Sequence, residues 1–234
     1  MKPNLVIMSS GPDAIFQEWE NLDNYNFDLA IINWHGNPLK NLEIARYVVD
    51  MPGQKWKLVY QFDQTHDLSE YEYIWCLDDD CITTPELIDL TFKFCQENNI
   101  DLAQPALTPD SYFSWRPTLM VPNAKMHITT TVEIMCPIFR RRIWKECIAP
   151  CGAMPLGIGY GLESWFTHAA GCISGRSKYG GLCAIIDQYP IKHSKPVTSM
   201  QQFAERNLDP SKDGEFFSKM GIPFVFNTLE IIHD

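Results

Sequence analysis

A chain of 234 residues, 45% hydrophobic and 12% aromatic, is long enough to bury a full core and has the make-up of a folded globular protein. Its 29 acidic residues against 19 basic ones leave a formal charge of −10, which weighs against wholesale binding to a nucleic-acid backbone, because that relies on clustered Lys and Arg. No run approaches the ~20 continuous apolar residues of a membrane span.

The start of the chain, Met1 to Met8, lacks the length and small-residue cleavage site of a signal peptide, and Leu5 to Met8 reads as a first strand. Ser9-Ser10-Gly11-Pro12-Asp13 is a turn at its end. Phe27 to Trp34 reads as a second buried strand, and Leu39 to Val49 carries a helical pattern closed by Pro52-Gly53. Trp56 to Phe62 fits either strand or helix. Tyr73 to Leu77 is an apolar strand that ends abruptly in Asp78-Asp79-Asp80.

Thr83-Thr84-Pro85-Glu86 then offers a cap residue, a proline at the first helical position and an acid in the first turn, so a helix is predicted through Leu87, Leu90, Thr91 and Phe94. Leu102 to Pro105 starts another extended piece. Strand and helix thus alternate over the first hundred residues, which predicts an α/β fold with a mostly parallel sheet flanked by helices. Beyond it, Thr108 to Lys125 reads as a long loop, Ile128 to Phe139 as β-rich, and Ile143 onward as helix. Gly152 to Gly161 is glycine-rich, Gly161 to Phe166 opens a helix, and Leu182 to Ile186 returns to strand. No repeat or low-complexity linker divides the chain. The expected organisation is one domain over 1–234, and the resemblance described below makes 1–107 its nucleotide-binding half, 108–198 its acceptor and catalytic half, and 199–234 a C-terminal extension.

Cysteines stand at 76, 81, 95, 136, 147, 151, 172 and 183, mostly inside apolar runs and without paired C-x-x-C spacing. They read as core thiols, which suit a reducing cytosol, so a cytoplasmic location is expected. The basic cluster Arg140-Arg141-Arg142, with Lys145, reads as a solvated helix start or as an anion contact.

Three adjacent carboxylates at a strand end repel one another, and a divalent cation relieves that repulsion. The same loop, Leu77-Asp78-Asp79-Asp80-Cys81-Ile82, resembles the nucleophile loop of haloacid-dehalogenase-like phosphatases, where Asp78 would form an aspartyl phosphate. In that family the loop follows the first strand, whereas here about seventy residues precede it, and Asp187 stands alone as a later acid. A non-catalytic nucleotide-sugar or carbohydrate binder is a further alternative.

Five landmarks in one order carry a broader resemblance, over roughly residues 55 to 198. They are Tyr71 to Ile74 before the three aspartates, Leu102 to Leu107, Val132 to Phe139 with Trp144, Gly159 to Glu163, and Ile185 to His193. Together they resemble domain-of-unknown-function family 707, whose members look like GT-A glycosyltransferases. That family usually has Asp-Glu-Asp where this chain has three aspartates, and Trp and Asp where it has Tyr160 and Glu163.

The resemblance implies a GT-A-like, metal-dependent hexosyltransferase. It would use Mn²⁺ or Mg²⁺ and a nucleotide-diphosphate sugar, UDP-linked, with a hydroxyl acceptor such as a glycan or lipid-linked sugar. Asp78, Asp80 and His193 would serve the metal, and Asp78 and Asp79 the donor as well. Glu163, at a helix start where the dipole favours a charged carboxylate, would be the base of an inverting reaction. Glu133 would contact the donor sugar, and Tyr160, with Trp165, would present aromatic faces to a substrate sugar. By fold analogy, Ser9, Ser10 and Asp13 after the first strand, and Asp63 after the third apolar run, would contact the nucleotide.

Overall fold

The computed structural model describes residues 2–233. In chain order the elements are β1 (Asn4–Ser10), β2 (Phe27–Asn33), β3 (Tyr47–Asp50), α1 (Lys55–Thr65), β4 (Tyr73–Asp78), β5 (Cys81–Ile82), α2 (Pro85–Glu97) and β6 (Ile100–Leu107). There follow β7 (Ala124–Thr129), β8 (Ile138–Arg140), α3 (Arg141–Ile148), α4 (Leu162–Ala170), β9 (Leu182–His193), α5 (Met200–Glu205), α6 (Ser211–Ser218) and β10 (Thr228–His233).

Strands from the whole chain line up in the order β10-β7-β9-β6-β8-β4-β1-β2-β3. Pairing is parallel through β3, β2, β1 and β4, and again between β6 and β9. The short β8 is antiparallel to both β4 and β6, and β7 is antiparallel to β9 and β10. The sheet is therefore mostly parallel, with two reversed strands.

Period-two alternation sends side chains to two cores, one on each face. Leu5, Ile7, Ile74 and Cys76 join a cluster with Trp56 of α1, Trp144 of α3 and Phe166 of α4. Val6, Met8, Trp75 and Leu77 join the other, with Phe92 and Cys95 of α2. All eight cysteines are buried and free. Helix α2 starts where its cap signal predicts, the Leu87 N–H donating to Thr84 Oγ1 at 3.2 Å.

Two readings of the sequence are corrected. Leu39 to Val49 is not a helix: it holds a 3-10 turn at Leu42–Ile44 and then β3. Asn41 adopts the left-handed conformation (φ 57°), which breaks the helix, and the β-branched Val48 and Val49 pair with the open edge of β2. The 128–139 stretch is not one strand, since β7 ends at Thr129 and β8 begins at Ile138. The arginine cluster opens α3, as its helix-start reading has it, and its side chains are taken up by neighbours in the fold. Arg142 grips the fully buried Asp101 through two bonds of 2.7 and 2.8 Å, Arg140 bonds Asn99 and Glu72, and Arg141 bonds the Leu68 carbonyl.

Candidate active site at the strand ends

The parallel block points its carboxyl ends to one side, where open α/β sheets hold ligands. Ser9 of β1 lies in register with Asp78 of β4. Immediately beyond, β5 pairs antiparallel with the far end of β9, setting Cys81 opposite His193. The Ser194 N–H and Oγ both bond the Asp80 carbonyl, at 3.1 and 2.8 Å. This small two-strand contact brings Asp80 and His193 together.

The His193 Nδ1–H donates to the Tyr112 carbonyl at 2.8 Å, which leaves Nε2 facing Asp80 Oδ1 at 3.4 Å. A bare Nε2 lone pair opposite a carboxylate is repulsive unless a positive charge lies between them. A proton is one such charge: burial disfavours it, but Asp80 and the Tyr112 carbonyl more than compensate, and the imidazole pKa is raised. A cation is the other. Two donors on an octahedral Mg²⁺ at about 2.1 Å each sit roughly 3 Å apart, close to the separation seen.

Asp78 faces a different partner. Lys55 Nζ, on the first residue of α1, lies 2.6 Å from Asp78 Oδ1 and donates to the Ile134 and Met135 carbonyls at 2.7 Å each. Burial lifts the Asp78 pKa, Lys55 opposes it, and Asp80 adds to it. Among the described residues, no three His, Cys, Asp or Glu side chains converge into a ready-made metal cage. The pair Asp80 and His193 still suits a hard cation that takes its remaining ligands from substrate phosphates and water, as Mg²⁺ commonly does.

Asp79 turns away from the others and accepts the Gly11 N–H, while its own carbonyl accepts the Ile15 N–H. Burial pushes its pKa up to about 6, against that hydrogen bond and with help from Asp78 and Asp80. It ties the turn after β1 to the turn after β4.

Glu133 and Glu163 face the same cavity from two unrelated segments. Glu133 lies in the irregular stretch between β7 and β8, which Lys55 pins by its carbonyls. Its N–H donates to Gln104 Oε1, and its Oε2 is buried without a hydrogen-bond partner. Burial raises its pKa to about 7, opposed by Ser114 and His193. Glu163 stands in the first turn of α4. Burial raises its pKa to about 8, its own and the Gly161 backbone N–H oppose this, and Glu133 adds to it.

The loop before Glu163 follows from its glycines. Gly159 (φ 113°) packs so closely that a Cβ would lie 2.6 Å from Trp56, and Gly161 (φ 86°) caps α4 in a left-handed conformation. A fully buried carboxylate closes the loop. Asp213 of α6 accepts the N–H groups of Leu156, Gly157, Ile158 and Gly159 at 2.8, 3.4, 2.8 and 3.2 Å.

Asp78, Asp80, Glu133, Tyr160, Glu163 and His193 thus line one cavity of about 750 Å³. The remaining expected residues are placed elsewhere. Ser9 and Ser10 end β1 beside Asp78, Ser9 Oγ buried without a partner and Ser10 Oγ donating to the Met8 carbonyl. Asp13 is exposed, 3.5 Å from Lys195. Asp63 is corrected outright: it lies inside α1, and its buried carboxylate accepts from Trp144 Nε1 and Lys145 Nζ at 2.7 Å each, which docks α3. Trp165 also leaves the site, its Nε1–H donating to the Glu146 carbonyl at 2.8 Å.

Lys55 and Asp213 were missed in the sequence. Lys55 left one trace, a cation in the first turn of a helix, where the dipole disfavours it. Asp187 supplies no second acid for a phosphatase site, since it is buried against His127 Nδ1 (2.8 Å) and the Val121 N–H (2.7 Å).

This mixed α/β sheet flanked by helices is a fold found in solved structures. Two solved chains carry the likeness. S. aureus TarS 1-349 matches with a TM-score of 0.54 at 12% identity, over 88% of this chain and 63% of that one. A second S. aureus TarS structure gives 0.55 at 11% identity, over 88% and 38%. This chain spans less than two thirds of either, and identities so low show the fold alone. No family model and no curated protein matches the chain. No helix among the described residues is long and apolar enough to cross a membrane.

Proposed function

We propose that this protein is a metal-dependent glycosyltransferase that moves a hexose from a nucleotide-diphosphate sugar, UDP-linked, to a hydroxyl acceptor with inversion. The observation that carries this reading is the polarity of one cavity. Asp80 and His193 converge on its lining, and two carboxylates of raised pKa, Glu133 and Glu163, line it with them.

Asp80 and His193 would hold Mn²⁺ or Mg²⁺, which when bound neutralises charge on a diphosphate. Asp78, fixed by Lys55, borders the same corner and would meet the donor ribose or metal-bound water. Glu133 Oε2, lacking a partner, is free to accept a hydroxyl of the donor sugar. Glu163 would take the proton from the acceptor hydroxyl as its oxygen bonds the anomeric carbon. The bond from that carbon to the phosphate oxygen breaks, and its electron pair leaves with the nucleoside diphosphate. A pKa of about 8 makes Glu163 a stronger base than an ordinary glutamate.

A thermal-shift screen of nucleotide sugars with and without Mn²⁺ tests this directly, because ligands that bind the native state raise its apparent stability. Stabilisation by a UDP-sugar only with metal, lost in Asp80→Ala, is the expected result. Equal stabilisation without metal, or normal turnover by Asp80→Ala, rejects the metal assignment. A retained anomeric configuration by NMR rejects Glu163 as base.

A further inference from the structure

The aromatic and hydroxyl-bearing part of the cavity lining has a chemistry of its own. Its side chains come from Ser114 and Trp115, just before the 3-10 turn at Arg116–Thr118, from Tyr160 and Ser164, and from the segment 196–224. Trp115 and Phe224 stack at 4.6 Å between ring centroids, tilted by 38°, and Tyr160 meets Phe203 edge-on at 5.9 Å. These rings are not sealed into a core. Trp115 is 38%, Tyr160 37% and Phe224 42% exposed, so ring surface is presented to an incoming ligand.

Two properties narrow that ligand. First, no Lys or Arg lines the cavity among the described residues. The nearby ammonium of Lys55 is taken up by Asp78 and two carbonyls. An anionic acceptor would meet Glu133 and Glu163 with no lysine or arginine to offset them, and His193, the basic side chain on the lining, is already faced by Asp80. Second, Ser114, Ser164, Thr198 and Ser218 line the same cavity as the rings. An acyl chain would offer no polar partner to the buried Ser164 hydroxyl or to the buried Glu133 Oε2, which costs free energy. A pyranose satisfies both kinds of wall, since its C–H face packs on rings while its equatorial hydroxyls reach the polar groups.

Building on the proposed transferase reading, we infer that the acceptor is an uncharged saccharide. It would seat a sugar ring against Trp115, Tyr160 and Phe224 and direct one hydroxyl to Glu163. Phosphorylated polymers and lipid chains do not fit this lining.

The test is binding rather than turnover, so it stands apart from the transferase reading. Saturation-transfer NMR on the full chain would compare maltotriose, cellotriose and triacetylchitotriose with two other probes, a heparin-derived tetrasaccharide and decanoate. At least one neutral trisaccharide should bind, with neither of the two others competing. Phe224→Ala and Trp115→Phe should each weaken it at least fivefold while the circular dichroism spectrum is kept. The inference is overturned if no neutral trisaccharide binds, if the tetrasaccharide or decanoate competes, or if both variants bind as the wild type does. The UDP–Mn²⁺ thermal shift is run beside it. Loss of that shift with saccharide binding intact would sink the transferase reading and leave the saccharide site standing.

Discussion

The ammonium of Lys55 lies 2.6 Å from the Asp78 carboxylate and bonds the Ile134 and Met135 carbonyls at the same time. One side chain therefore joins the end of β4 to the segment that carries Glu133, and it spends all three N–H groups in doing so. Replacing it by methionine keeps most of the volume and strands two carbonyls and a carboxylate. Lys55→Met should lose about 2–4 kcal/mol in urea unfolding, the lower part reflecting the partial exposure of Asp78. Its affinity for a UDP-sugar with Mn²⁺ should fall as well. Wild-type values in both measurements would show the clamp to be idle.

The three adjacent aspartates should separate by role. Asp79 bonds the Gly11 N–H outside the cavity, so Asp79→Ala is expected to cost about 1–2 kcal/mol of stability and to change turnover by less than about threefold. Asp80→Ala should do the reverse, keeping the melting temperature and losing metal-dependent turnover. Denaturation and initial-rate measurements on the pair decide it, and matching profiles would refute the division.

Two glutamates with raised pKa values make definite pH predictions. As the proposed base, Glu163 would act only when ionised, so kcat/KM for transfer should climb with pH and level off above about 8. Glu163→Gln should lower kcat by about 10²–10⁴-fold and abolish that inflection. Stability runs the other way. Each folded-state pKa, about 7 for Glu133 and about 8 for Glu163, lies above the ordinary 4.5, so the folded form holds the protons more tightly. The resulting stabilisation is complete below about pH 4.5 and is lost as pH rises through 7 to 8. Metal-free melting curves should flatten over that window in Glu133→Gln and Glu163→Gln; an unchanged slope would contradict the burial argument.

Asp213 accepts four backbone N–H groups of the loop before Glu163. In Asp213→Ala those amides lose their acceptor, at a cost of about 3 kcal/mol. Hydrogen exchange should speed up at 156–159 and leave Cys76 to Asp78 protected. The same variant should lose kcat with little change in donor KM, since the loop positions Glu163, the proposed base, and not the residues proposed to hold the donor.

Much of this was legible in the sequence because it is local. The β4 run and its acids occupy consecutive positions, Thr84-Pro85 caps α2 within one turn, and the glycines before Glu163 mark their own turn. What could not be read depends on partners far along the chain. Asp213 sits in a short polar helix that looks like any solvent-facing segment, and only packing against 156–159 buries it. Asp63 follows an apolar run just as a strand-end acid would, yet α1 forms because Trp56, Val59 and Phe62 share a helical face buried in the core. Leu39 to Val49 mimicked a helix because helical spacing overlaps the spacing of a turn followed by an edge strand.

The fold also carries a built-in gauge of its own integrity. Every thiol is internal, and burial pushes the Cys76 group up to about 12, far from the thiolate that electrophiles attack. Iodoacetamide at neutral pH should therefore leave intact molecules unmodified and mark only those that have opened. The mass increments would then record which layer of the molecule gave way first.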